Sequence, residues 1–215
     1  GTSAPSLGDK IRRVGDPING YYGYLTGGLA QTDDFGSYNE TTKKYGDPGF
    51  AVISSYAAII QPGDVVYRDI SGENNEPDGR IDDRDKVVFR DPYPRYSFSL
   101  RGFAEWKNFD FSFYFQGVGK VNGYLSEEAR HAFINDYSVP KTAHLDRWTP
   151  NNTGASYPRM YYQPVHNIVF SDYWLEDASY VRLKNIQLGY ALSKRLTEKM
   201  KINRLKVYVS ADNLF

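Results

Sequence analysis

Apolar and polar residues alternate most regularly between Ser97 and Gln116. In the first half, Phe98, Leu100, Gly102, Ala104 and Trp106 alternate with Ser97, Ser99, Arg101, Phe103 and Glu105. After the turn-favouring pair Lys107-Asn108, Phe111, Phe113 and Phe115 alternate with Asp110, Ser112, Tyr114 and Gln116. Successive side chains of a strand point to opposite faces. This period of two therefore predicts a β-hairpin with one apolar and one polar face.

Two further strands are predicted towards the end of the chain. The first runs from Tyr180 to Leu192, and its phase changes midway: Val181 and Leu183 share one face, whereas Ile186, Leu188, Tyr190 and Leu192 occupy the other. A bulge near Lys184-Asn185 would bring both halves onto one face. The second strand has Leu205, Val207, Val209 and Ala211 in alternation with Lys206, Tyr208 and Ser210. A short helix is predicted over Ser126–Phe133. The predicted fold class is all-β, with antiparallel strands, long loops and at most one or two short helices.

Strands with one apolar face occur in two settings, and the pattern leaves both open. In a soluble β-sandwich the apolar face packs on a second sheet, whereas in a transmembrane β-barrel it contacts lipid. Membrane-spanning strands need about 9–11 residues, which the first hairpin strand reaches. Aromatic residues near strand ends resemble the girdles of such barrels; they are Tyr93, Tyr96, Trp106, Tyr173, Trp174 and Tyr180.

Composition and charge remove several classes of protein. The 215 residues include 26 Lys+Arg and 26 Asp+Glu, so the strongly basic balance typical of nucleic-acid binding is absent. There is no Cys, which excludes disulfides, thiolate metal sites and Cys nucleophiles. No apolar run approaches the 18 residues of a transmembrane helix. The three histidines, His131, His144 and His166, lack metal-ligand spacing, and no catalytic motif stands out, so we do not expect an enzyme.

The most specific chemical pattern is an acidic loop over residues 69–85. On a twelve-residue calcium-loop template, oxygen donors fall at Asn74, Glu76, Asp78, Asp82 and Asp85, and Arg80 would contribute its backbone carbonyl. Gly79 stands where the chain must turn sharply, and Asp69 could replace Asn74 as the first ligand. The sequence thus predicts a structural calcium site. The alternative is an acidic turn without metal, its carboxylates paired with Arg80, Arg84 and Lys86.

Several stretches, taken in order, resemble the C-terminal barrel region of the SusC/RagA family of TonB-linked outer-membrane transporters. The similar stretches are residues 17–24 (PINGYYGY), 28–31 (GLAQ), 63–70 (GDVVYRDI), 78–85 (DGRIDDRD), 94–98 (PRYSF), 109–119, 147–151 (RWTPN), 157–159 (YPR), 174–190 and 207–215. The stretch 174–190, WLEDASYVRLKNIQLGY, is the most specific of these. An insertion at 72–77 separates the two halves of the acidic loop.

The resemblance implies that residues 1–215 are a partial C-terminal stretch of a plugged, roughly 22-stranded barrel in the cell outer membrane, without the plug domain. It implies import of oligosaccharides or peptides, driven by a TonB complex, with a SusD-like surface lipoprotein as partner. Ser97, Ser99, Arg101, Glu105, Asp110, Ser112, Tyr114 and Gln116 would line the lumen, and Phe111, Phe113 and Phe115 would contact outer-membrane lipid. Unpaired strand edges could also lead to self-association. The alternative is a secreted, soluble β-sandwich that binds carbohydrate and holds a structural calcium.

Overall fold

The computed structural model describes residues 6–7, 10–72, 76–89, 92–125 and 127–214. The chain divides into two compact units. Unit 1 comprises residues 1–92 and 123–176, and unit 2 comprises residues 93–122 and 177–215. In agreement with the prediction, the described structure consists mainly of antiparallel strands with two short α-helices.

Unit 1 consists of short strands joined by long turns. One antiparallel sheet has the order β1-β2-β3-β6, formed by Ser6–Leu7, Lys10–Ile11, Gly20–Tyr24 and Lys86–Phe89. A second sheet pairs β4 (Thr26–Leu29) with β5 (Val65–Tyr67), and a third pairs β9 (Asn122–Tyr124) with β10 (Leu175–Asp177). Short 3₁₀ helices cover Thr32–Asp34, Ser54–Ile59, Asp83–Asp85, Thr142–Leu145 and Asp172–Trp174.

The core of unit 1 is aromatic and aliphatic. Tyr24, Val65, Tyr67 and Ile81 form one buried cluster. Trp174 is also buried, with 2% of its surface exposed, and its indole Nε1 donates a hydrogen bond to the carbonyl of Asn167 at 2.9 Å. Placing Trp174 in a membrane girdle was therefore wrong. A large ring with a satisfied N–H stabilises a protein core, and the sequence pattern cannot separate that role from an interfacial one.

Unit 2 contains the predicted hairpin and the two predicted later strands in a single sheet. Its order is β12-β11-β8-β7, with every neighbouring pair antiparallel. The strands are β7 (Tyr96–Trp106), β8 (Phe109–Gly119), β11 (Tyr180–Ala191) and β12 (Lys206–Asp212). The hairpin turn has two residues, and Lys107 adopts a positive φ of 56° there, as tight hairpin turns require.

The predicted bulge in β11 is present. Leu183 pairs with Phe115, but the next pair is Asn185 with Tyr114, so Lys184 is the extra residue. After the bulge, Ile186 lies opposite Phe113 and Leu188 opposite Phe111. One inserted residue thus places both apolar halves of β11 on the face that carries the phenylalanines of β8.

Two short α-helices agree with the predicted number, but the first differs from the prediction in extent and the second was not located in the sequence. Helix α1 covers only Glu127–Arg130, and the predicted cap Ser126 lies outside the described residues. It ends before Phe133, whose positive φ of 60° is incompatible with a helix. A second helix, α2 (Lys194–Lys199), was not predicted. Its signal was present in the run of helix-forming residues after Ser193, but the run is too short to show amphipathic periodicity.

Candidate functional site

The acidic loop is organised by carboxylates that accept backbone hydrogen bonds. Asp85 is fully buried, and its Oδ1 accepts from the N–H groups of Ile70 and Ser71 at 2.9 and 3.0 Å. Its Oδ2 accepts from the N–H of Asp82 at 2.8 Å. Three backbone donors on one carboxylate hold the two ends of the loop together, because a buried charge is stable only when it is hydrogen-bonded.

A second carboxylate shapes the tip of the loop. Asp69 accepts hydrogen bonds from the backbone N–H groups of Asp78 at 3.3 Å and Gly79 at 2.6 Å. Gly79 has a φ of 80°, which favours glycine and matches the sharp turn predicted there. Asp78 Oδ1 accepts from the N–H of Arg80 at 3.1 Å, which is an Asx turn.

Arg84 is the cation on which the exposed carboxylates of the loop converge. Its Nη2 lies 2.7 Å from Asp78 Oδ2 and 2.7 Å from Asp82 Oδ2, and its Nε lies 3.1 Å from both Asp82 oxygens. Hydrogen bonds from Arg84 lower the pKa of Asp82, and the same contacts raise the pKa of Arg84. Lys86 pairs separately with Asp83 at 2.7 Å.

These contacts give the positions of the predicted calcium ligands. Asp69, Asp78, Asp82 and Asp85 lie in one loop, but backbone N–H groups or Arg84 occupy their oxygens. Glu76 and Arg80 are exposed, and Asn74 lies outside the described residues. Across the described ranges, no three His, Asp or Glu side chains are arranged to hold a metal ion. In the folded loop, Arg84 and Lys86 form the ion pairs that the metal-free alternative predicts. Calcium binding stays a prediction.

A buried polar network in unit 1 was not predicted. Asp64 is completely buried, and its oxygens lie 2.9 Å from Nε and Nη2 of Arg159. Its Oδ1 also accepts from Nδ2 of Asn167 at 2.8 Å, and its Oδ2 accepts from the N–H of Gln61 at 2.9 Å. Such a bidentate and fully hydrogen-bonded pair fixes the segment 159–167 against the residues next to β5. Both residues lie in stretches that resemble the SusC/RagA family, Gly63-Asp64 and Tyr157-Pro158-Arg159. Because they are 95 residues apart, the sequence does not show that they pair.

His166 extends this network along β5. Its Nε2 lies 2.7 Å from the carbonyl of Val65, so the neutral ring carries its proton on Nε2. The hydroxyl of Tyr67 donates to the carbonyl of His166 at 2.6 Å. Burial lowers the pKa of His166, so the ring is neutral at neutral pH. Among the described residues, the three histidines do not converge on a metal, and their surroundings are those of core residues.

The sheet of unit 2 has two chemically distinct faces. Residues directly opposite in an antiparallel sheet share a face, and the registers give an apolar face of Phe98, Leu100, Gly102, Ala104, Trp106, Phe109, Phe111, Phe113, Phe115, Gly117, Val181, Leu183, Ile186, Leu188, Tyr190, Val207, Val209 and Ala211. None of these residues carries a charge or an amide side chain. Much of the face is exposed, including 59% of Leu100 and 74% of Val209.

The opposite face is polar on all four strands. It carries Ser97, Ser99, Arg101, Phe103, Glu105, Asp110, Ser112, Tyr114, Gln116, Arg182, Asn185, Gln187, Lys206, Tyr208, Ser210 and Asp212. Lys206 Nζ lies 2.9 Å from Asp110 across the intervening strand β11. Gly189 of β11 makes this pair possible, because a Cβ there would clash with the Asp110 carboxylate. The apolar residues on this face are Phe103, Val118 and Ala191.

The curated proteins that this chain matches in sequence are all TonB-dependent receptors. No protein-family model matches the chain. The chain is 28% identical over 207 residues to TonB-dependent receptor P3 of Formosa agariphila, covering 95% of this chain, and 33% identical over 156 residues to receptor P26 of the same organism, covering 71%. It is 26% identical over 209 residues to TonB-dependent receptor SusC of Bacteroides thetaiotaomicron, covering 89%. The chain spans 15–19% of the length of these relatives.

Solved structures agree with the sequence relatives. The chain matches the RagAB peptide transporter with a TM-score of 0.62 at 19% identity, covering 99% of this chain and 20% of that one. It matches the same importer in its "open-open" state with a TM-score of 0.59 at 18% identity, covering 98% and 20%. The two-faced antiparallel sheet and these matches give the chain the fold of a stretch of TonB-dependent transporter β-barrel. Over most of its length the chain is thus similar in sequence to TonB-dependent receptors, SusC among them, and similar in fold to RagAB.

Proposed function

We propose that the chain forms part of the barrel wall of a nutrient importer in the bacterial outer membrane, within the C-terminal region of the barrel. The observation that carries this proposal is the apolar face of β7, β8, β11 and β12, which continues across all four strands opposite a polar face. In this arrangement the apolar face contacts lipid and the polar face lines the lumen.

The strand lengths support a membrane setting. Strands β7 and β8 have 11 residues each and β11 has 12, and a tilted membrane-spanning strand needs about 9–11. Among the helices of the described residues, none is long and apolar enough to cross a membrane. A soluble β-sandwich is less favoured, because a sandwich would bury the apolar face against a second sheet, and Leu100 and Val209 are exposed.

The transport proposal includes partners and cargo. Four strands cannot close a barrel, since the smallest closed barrels use about eight. We therefore propose that the edge strands β7 and β12 pair with further strands of a longer transporter; association between copies is the other way to cover them.

We propose a TonB complex as energy source and a SusD-like lipoprotein at the surface. The cargo class is oligosaccharide or peptide, in line with the SusC relative and the peptide transporter RagAB.

Fractionation and uptake test this function together. The full-length transporter that contains the chain should be recovered from outer membranes only with detergent. Uptake of labelled oligosaccharides or peptides by cells should stop when the transporter gene or the TonB complex is deleted. A protein that is soluble and monomeric without detergent would exclude the function. Uptake that continues without TonB would exclude the energy source.

A further inference from the structure

A small pocket in unit 1 combines apolar walls with two cations. Its volume is about 350 Å³, near the lower end of the roughly 300–1,000 Å³ typical of ligand pockets. Its apolar lining residues are Phe133, Pro140, Leu145 and Met160, and its polar lining residues are Lys141, His144 and Arg147. Among the residues that the structure describes, no carboxylate lines the pocket.

The two cations of the pocket have no ion-pair partner among the described residues. Within the part of the chain that the structure describes, neither Lys141 nor Arg147 forms a salt bridge. The acid next to Arg147 is occupied elsewhere, because Asp146 accepts hydrogen bonds from Asn152 Nδ2 at 3.0 Å and from the N–H of Ser156 at 3.1 Å. Two unneutralised positive charges in a partly apolar concavity attract an anion.

The apolar wall at Phe133 is fixed by its backbone. Phe133 has a φ of 60°, a rare conformation for an aromatic residue. Both of its backbone groups are hydrogen-bonded: its N–H donates to the carbonyl of Ser138 at 3.0 Å, and its carbonyl accepts from the N–H of Gln163 at 2.9 Å. Residues in such strained conformations persist where the surrounding structure holds them, often at binding sites.

The polar wall is fixed in the same way by the 3₁₀ helix Thr142–Leu145. The N–H of His144 donates to the carbonyl of Lys141 at 2.9 Å, and the N–H of Lys141 donates to Nδ1 of His144 at 3.0 Å. The ring of Tyr157 packs edge-on against His144 at 5.0 Å between centroids. Burial lowers the pKa of His144, so at neutral pH the positive charges of the pocket are those of Lys141 and Arg147.

We propose that this pocket binds a carboxylate attached to a small apolar group, with Arg147 and Lys141 holding the carboxylate and Phe133, Leu145 and Met160 packing on the apolar group. The guanidinium of Arg147 matches a carboxylate in a two-point fork, and Lys141 adds a point charge. The ligand chemistry is shared by the C-terminal residue of a peptide and by a free short-chain fatty acid. The idea that such a ligand is cargo rests on the proposed transport function. The idea that the pocket binds it does not.

Calorimetric titration of the detergent-purified protein with four small probes tests the proposal. N-acetyl-leucine and 4-methylpentanoate both carry the required carboxylate and apolar group, and the stronger of the two identifies a peptide-like or a fatty-acid-like ligand. N-acetyl-leucinamide lacks the charge, and glucuronate has a polar body. We expect at least about fivefold weaker binding of the amide and of glucuronate. Equal binding of N-acetyl-leucine and its amide, or no binding of either carboxylate at about 10 mM, would overturn the proposal.

Three variants assign the binding to this pocket. Arg147→Gln and Lys141→Gln should each weaken carboxylate binding at least about fivefold. Lys199→Gln, which removes an exposed positive charge on α2, should leave it unchanged. Thermal unfolding of each variant reports whether it folds, and the salt dependence of binding by the unchanged protein provides a readout that needs no variant. Equal affinity of all three variants would overturn the assignment. Uptake in cells is measured separately, so a failure of transport is distinguishable from a failure of the pocket.

Discussion

At the scale of single residues, Arg84 sets the chemistry of the acidic loop. A guanidinium within 2.7 Å of Asp78 and Asp82 neutralises the charges that a calcium ion would otherwise neutralise. Calcium binding by Asp78 and Asp82 would therefore require Arg84 to leave. Because Arg84 is half exposed, its departure is sterically simple, and the two cations compete for the same carboxylates.

We predict that replacing Arg84 by Met favours calcium. For Arg84→Met, the midpoint of thermal unfolding should rise when calcium replaces chelator, and the rise should exceed that of the unchanged protein. A site filled at a hundred times its Kd stabilises by about 2.7 kcal/mol. Arg80→Met is the matched control, since Arg80 donates only its backbone N–H in the described contacts of the loop. The loop does not bind the metal if calcium leaves the unfolding midpoints of Arg84→Met and of the unchanged protein where they are in chelator, and if Asp78→Asn does not change this result.

Buried histidines make unit 1 sensitive to acid. Burial lowers the pKa of His131, His144 and His166 from the ordinary value of 6.5. Below about pH 6.5 the unfolded chain binds protons that the folded chain does not, so the free energy of unfolding falls as the pH falls. Denaturant titrations at pH 7.5 and pH 5.5 should show this loss, above the range in which ordinary carboxylates titrate.

His166→Gln provides the matched variant for the acid effect. Glutamine keeps an amide donor for the carbonyl of Val65 but cannot take up a proton. The loss of stability between pH 7.5 and pH 5.5 should therefore be smaller in this variant than in the unchanged protein. Greater stability at pH 5.5 than at pH 7.5 would show that the histidines are not held neutral by burial.

At the scale of elements, the strands of unit 2 could be predicted and those of unit 1 could not. Strands β7, β8, β11 and β12 follow from period two, and the bulge at Lys184 follows from the change of phase, because both signals are local. The strands Gly20–Tyr24 and Thr26–Leu29 are rich in glycine and tyrosine, and each pairs with a strand that lies far along the chain. The Asp64–Arg159 pair spans 95 residues, so sequence spacing alone could not reveal it.

The two faces of β11 should respond differently to the same substitution. Ile186 lies on the apolar face opposite Phe113, and the adjacent Gln187 lies on the polar face opposite Ser112. In lipid vesicles, Ile186→Arg should destabilise the folded protein by about 2–4 kcal/mol, because it places a charge against hydrocarbon. Gln187→Arg introduces the same group in water and should cost much less. Urea unfolding measures both, and equal costs would contradict the assignment of the faces.

At the scale of the whole molecule, a charge balance of 26 against 26 and 16% aromatic residues suit a chain whose strands contact lipid on one side and water on the other. The proposed barrel wall would account for an apolar face on which 74% of Val209 is exposed. In a soluble protein, such a face would promote aggregation, whereas in a barrel it is the surface that the bilayer covers.

The most direct test of the lipid contact is a cysteine scan along β8. The chain has no Cys. Once any Cys elsewhere in the transporter is replaced, single cysteines at positions 110–116 can each carry a spin label in reconstituted vesicles. We predict that collisions with oxygen, which concentrates in lipid, are frequent at 111, 113 and 115. Collisions with a water-soluble nickel chelate should be frequent at 110, 112, 114 and 116. The opposite phase, no alternation, or low collision rates with both reagents at 111, 113 and 115 would contradict the proposed membrane wall.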